Sequence, residues 1–117
     1  MVDIELYKAA GIDYDKGLEL FMGNAELYRE FLMKFLYDGS FEEFCAGAAM
    51  GDLAMAEKAV HTLKGTAGKL SMTRLFTAAD ATVNAIHDGK KDDDLQPFVD
   101  EVNEAYQVAC DAVRSQL

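Results

Sequence analysis

A chain of 117 residues, half of them hydrophobic and 27% charged, has the length and composition of one globular domain that builds its own core. Its formal net charge of -10 argues against nucleic acid, because a phosphate-backbone binder needs a clustered basic face, and it argues equally against anionic membrane surfaces. No apolar run reaches the length of a membrane span, and the acidic opening MVDIELYKAA lacks the basic, apolar and cleavage regions of a signal peptide, so a cytoplasmic protein is expected.

The periodicity is helical throughout, with one proline and no alternating strand pattern, and predicts an all-α chain. DYDKGLELF reads as a short helix with Asp13 as N-cap, ended by the turn at Gly23 and Asn24. Asn24 then caps a long helix whose apolar positions Leu27, Phe31, Leu32, Phe35, Phe41 and Phe44 form an inward stripe. YDGS, from Tyr37 to Ser40, kinks that helix or interrupts it, and the pattern does not separate the two. Gly51 stops it and Asp52 caps the next, which runs from about Leu53 to Leu70; Ser71 or Thr73 caps another that ends near HDGKK. The acidic run Asp92 to Asp94 suits a helix N-terminus, Pro97 is tolerated in a first turn, and the last helix turns Phe98, Val102, Tyr106, Ala109 and Val113 inward. The expected architecture is an antiparallel up-down four-helix bundle over residues from about 24 to 116, preceded by a short N-terminal helical cap of about residues 1–23, all in one domain. Cys45 and Cys110 sit in apolar helical contexts without CxxC or metal spacing and are expected as buried free thiols.

One stretch, AVHTLKGTAGKLSM from Ala59 to Met72, carries residues that a core helix does not need. Each interior glycine costs a helix about 0.5 to 1 kcal/mol relative to alanine, so Gly65 and Gly68 call for an explanation beyond folding. On a helical wheel Val60, Leu63, Ala67 and Leu70 gather on the seam toward the core, while His61, Lys64, Gly65 and Gly68 gather roughly 130° away. His61 is therefore expected outside the core, with Lys64 one turn on and two turns stripped of side chains beyond it. Histidine offers a neutral ring nitrogen near neutral pH and is a nucleophile there, and a phosphoryl group on that nitrogen is a dianion that Lys64 can stabilise. The chain has no Walker A loop and no kinase-type glycine loop, so the phosphoryl group must come from another protein.

HTLKGTAGKLS resembles the signature of the histidine-containing phosphotransfer (HPt) domains of two-component phosphorelays, in which histidine, lysine three residues later and glycine four later recur with a small residue at the seventh position. The segments GLELFMGNAELYREFLMKF and GDLAMAEKAVHTLKG are similar to those that lead to the active helix in that family, so the resemblance covers nearly the whole chain. It implies that His61 is phosphorylated on a ring nitrogen, typically Nε2, and exchanges the group with an aspartate on a receiver domain of a response regulator or hybrid sensor histidine kinase. It also implies that Lys64 neutralises the phosphoryl group and that Gly65 and Gly68 keep the surface open to the partner. Lys69, two turns beyond His61, adds positive potential or simply favours a helix C-terminus. The chain departs from the family at Ser71, where glycine is usual, and at Lys69, where a polar residue such as asparagine is frequent.

A carrier of this kind has no kinase or ATP-binding domain of its own, is not itself an enzyme, needs no cofactor or metal, and is expected as a monomer. A di-iron four-helix bundle needs two inward Glu-x-x-His pairs, and neither His61 nor His87 has a glutamate three residues before it. A degenerate HPt-like adaptor that binds a receiver without accepting phosphoryl is the alternative, against which the intact His61 and Lys64 argue. Glu57, one turn before His61, reads as a solvated carboxylate rather than the group that holds the imidazole tautomer. His87 is expected in solvent near a helix end and carries no motif. The compact beginning and end of the chain favour a free module over a domain cut from a hybrid kinase.

Overall fold

A computed structural model describes residues 2–116, and these are all-helical. The elements are α1 (Ile4–Ala9), α2 (Tyr14–Leu20), α3 (Ala25–Phe35), α4 (Ser40–Met50), α5 (Leu53–Lys69), α6 (Thr73–His87) and α7 (Gln96–Ser115), with a single 3-10 turn at Asp92–Asp94. Four of the helices begin on a side-chain cap: Asp3, Asp13, Asn24 and Asp52 accept from the backbone N–H of Leu6, Lys16, Leu27 and Met55 at 3.0 to 3.2 Å. Helix α6 does not. Met72 occupies its cap position, and the Thr73 hydroxyl, expected there with Ser71 as the alternative, donates to the Gly11 carbonyl at 3.0 Å. The polar groups of this turn are used to hold the N-terminal segment, since Asp13 N–H also donates to the Ser71 carbonyl and Arg74 N–H to that of Gly11.

The YDGS segment interrupts the helix. Helix α3 ends at Phe35, and the Asp38 carboxylate accepts from Ser40 N–H at 2.7 Å as α4 begins. The interruption leaves α3 with a narrow buried face, Tyr28, Leu32 and Phe35, one turn apart along the helix. Leu27 and Phe31, expected in the inward stripe, are 38% and 41% exposed, while Phe41 and Phe44 of α4 are buried as expected.

Helix α4 packs along α5, α5 along α6 and α6 along α7. The short connections between them turn the chain back each time. The first of these contacts requires a glycine: a Cβ at Gly47 would stand 2.8 Å from the backbone nitrogen of Ala56. Gly51, with φ of +72°, ends α4 in the left-handed conformation that glycine adopts without strain. Arg74 clamps α6 to α7 through two 3.1 Å bonds to Glu101 and a longer contact with Glu104. The inward residues of α7 are buried except Phe98, which is half-buried.

The N-terminal segment is held by aromatic contact. Tyr7 stacks on Tyr14, Tyr14 meets Tyr28, and Phe21 stacks on Tyr28, with ring centroids 5.1 to 5.6 Å apart. The buried Tyr28 hydroxyl donates to the Leu70 carbonyl at 2.7 Å, fastening α3 to the end of α5. No helix among the described residues is long and apolar enough to cross a membrane.

Candidate functional site

Helix α5 positions the residues singled out from the sequence. Its apolar residues Ala56, Ala59, Val60, Leu63 and Ala67 are buried, and this fixes the rotation of the helix about its axis. His61, Gly65 and Lys69 consequently face solvent, and Lys64 and Gly68 are half-buried on the side nearer α6. Thr62 and Thr66 return their hydroxyls to the carbonyls of Lys58 and Thr62, which occupies these groups within the helix.

Two charge contacts reach from α6 to α5, one on each side of His61. The Lys64 ammonium lies 2.9 Å from the Asp80 carboxylate and 5.7 Å from the centre of the Phe76 ring. Glu57 accepts from, or pairs with, His87 Nε2 at 2.8 Å. Glu57 is thus not a free solvated carboxylate, and His87 is exposed as expected but has a partner across the helix interface. Neither contact carries a local sequence signal. Lys64 and Asp80 become neighbours only because α5 and α6 run side by side in opposite directions.

The two glycines differ. A Cβ on Gly65 would meet nothing within 4 Å, whereas one on Gly68 would stand 3.3 Å from the Phe76 ring. Gly65 leaves open surface. Gly68 makes room for an aromatic ring that in turn lies against Lys64, so close packing applies at this second position.

Beside the bare face runs a groove of about 940 Å³. One wall is α5 at Gly65, Thr66, Gly68 and Lys69, and the other is Leu20, Phe21, Phe31 and Phe35 of the N-terminal half, with Lys34 and Asp38 at the edge. The exposed apolar residues Leu20 and Phe31 of α2 and α3 belong to this groove, which is why Phe31 is not buried with the rest of the core. His61 lies outside it, in a shallower depression with Ala54, Glu57, Lys58 and Thr62, about 6 Å along the helix from Gly65 by the helical rise.

Ser71 adopts a φ of +59° at the turn out of α5. It is buried, and its hydroxyl has no hydrogen-bond partner. A left-handed backbone explains why glycine suits this position, and burial removes Ser71 from any surface that a partner could read. Cys110 is buried and Cys45 half-buried, both as free thiols, and burial pushes both above the usual thiol range. Among the described residues no three His, Cys, Asp or Glu side chains come together as a set able to hold a metal ion. Comparisons with protein families, with curated proteins and with solved structures find no match to this chain.

Proposed function

We propose that the protein is a histidine phosphocarrier of the HPt kind, exchanging a phosphoryl group between His61 and the aspartate of a receiver domain. The observation that carries the proposal is an exposed imidazole on a rigid helix, with a cation one turn away and an open backbone face at Gly65 beside an apolar groove. In the forward step the Nε2 lone pair forms the N–P bond while the P–O bond to the aspartate breaks. The carboxylate leaves with the bonding electrons, and Nδ1 keeps its proton. The ammonium of Lys64 faces the negative charge that the phosphoryl oxygens bring to the helix, and the return step is the reverse.

The groove supplies the surface for the partner. Leu20 and Phe31 expose apolar area next to Gly65, where a receiver can approach the backbone closely enough to bring its aspartate to His61. In this proposal α3 and α4 together, α5, α6 and α7 supply the four antiparallel helices of the HPt bundle, and α1 and α2 its N-terminal cap. The carrier is a cytoplasmic monomer that takes its phosphoryl group from a receiver or a hybrid sensor histidine kinase and needs no cofactor.

The test is incorporation of acid-labile, base-stable phosphate from a phosphorylated receiver and from phosphoramidate, a small donor that needs no docking. The parent protein is expected to label with both donors. The His61→Gln variant should label with neither and keep its stability within about 0.5 kcal/mol, because the side chain is exposed. Label retained by the variant would overturn the assignment of His61. A parent that binds a receiver but takes no phosphoryl group would be an adaptor.

A further inference from the structure

Two lysines flank His61 at three residues, Lys58 before it and Lys64 after it. Side chains on a helix lean toward its N-terminus, so the stem of Lys64 leans toward His61 and that of Lys58 leans away. The lysine better directed at a group on His61 is thus the one whose ammonium Asp80 holds at 2.9 Å, over the Phe76 ring. Phe76 takes this position because Gly68 has no side chain to displace it. Lys58, which lines the depression around His61, is exposed and makes no ion pair among the described residues, so of the two lysines only Lys64 is held by a partner.

We propose that Asp80 is a positioning residue for phosphoryl exchange, which holds the Lys64 ammonium in the unphosphorylated protein and yields it to the phosphoryl group on His61. The inference rests on the phosphocarrier reading. Its consequence is thermodynamic: the pair stabilises the unphosphorylated state, so the carrier gives up its phosphoryl group more readily than one with an unengaged lysine. Lys64 and Asp80 are both partly exposed, with side-chain exposures of 30% and 42%, so the pair is screened and the shift it causes is small.

The experiment measures an equilibrium. Phosphoramidate and His61 exchange a phosphoryl group reversibly, the P–N bond of the donor breaking with release of ammonia as the N–P bond to the ring forms. At fixed ammonia concentration the phosphorylated fraction is read by phosphorus NMR for the parent, Asp80→Asn, Lys64→Ala and the double variant. Asp80→Asn should shift the equilibrium toward phosphohistidine by about 2- to 5-fold, the range expected of an exposed ion pair, and Asp80→Glu should restore much of the parent value. In the Lys64→Ala background the Asp80→Asn shift should vanish. A shift of equal size without Lys64 would mean that Asp80 acts by direct repulsion of the phosphoryl group and would overturn the proposal, as would no shift at all. A second measurement needs no phosphoryl group: solvent exchange of the Lys64 ammonium protons, seen by nitrogen NMR, should be slower in the parent than in Asp80→Asn. Equal exchange rates in a parent that does label would sink the role of Asp80 and leave the carrier reading standing. A parent that takes no phosphoryl group from either donor would overturn both.

Discussion

Ser71 is the residue at which the chain carries a local cost with no visible return. Its φ of +59° lies in the left-handed region, which costs a side-chain-bearing residue about 1 kcal/mol, and its buried hydroxyl is unpaired, which costs about 1 to 3 kcal/mol more. The backbone carbonyl of the same residue, in contrast, accepts from Asp13 N–H, a bond that any residue type would keep. Ser71→Gly should therefore stabilise the protein by about 1 kcal/mol or more after the added freedom of the unfolded glycine is counted. The midpoint and slope of a denaturant titration check this, and a lower midpoint would show that the hydroxyl has a partner in solution. Labelling of His61 should be unchanged, because Ser71 is 4% exposed and cannot meet a docking protein.

At the scale of elements, the open stretch of α5 is the feature to test. Gly65→Gln places a side chain where nothing stands within 4 Å, so the helix gains up to about 1 kcal/mol from propensity with no clash in the fold. Transfer from a phosphorylated receiver should fall on the order of 10- to 100-fold, because the partner is displaced from its approach, while labelling by phosphoramidate stays near the parent rate. Equal receiver kinetics in the variant would remove the groove from the docking surface. Most of α5 was legible in the sequence: Asp52 caps it, the apolar seam sets its rotation, and the exposed side follows from the wheel. The neighbours of that exposed side were not. Asp80 is 16 residues from Lys64 and His87 is 30 from Glu57, and contacts of that separation depend on how two helices are turned against each other. Phe31 stands outside the core for a related reason, since periodicity finds the apolar side of a helix but does not tell a filled interface from an open groove, and the exposure of Leu27 has no such explanation in the structure.

At the scale of the whole molecule the buried phenols link stability to alkaline pH. Tyr7, Tyr28 and Tyr106 are all held above the ordinary phenol value of 10.0, in each case mainly because burial penalises the phenolate. Their contribution to stability is fully present below pH 10, where the unfolded chain keeps its phenols neutral. It is lost as pH rises beyond 10 and unfolded phenols ionise before folded ones. Stability measured by urea titration should accordingly show no tyrosine-linked loss up to about pH 10 and then fall, and in a Tyr14→Phe, Tyr37→Phe background, which keeps only these three phenols, the absorbance change of phenolate should track unfolding instead of preceding it. Phenolate appearing before the fold is lost would mean that these rings are solvated. The packing of α5 between α4 and α6 also orders the molecule in time. A helix covered on both flanks is expected to exchange its amide hydrogens only through the largest openings, whereas α2 and α3, held in part by the aromatic contacts around Tyr28, should exchange through openings of lower free energy, which native-state hydrogen exchange checks. On the proposed function, the far wall of the groove would then open independently of the backbone beneath His61, so that the width offered to a receiver varies while the phosphoryl-accepting ring keeps its place.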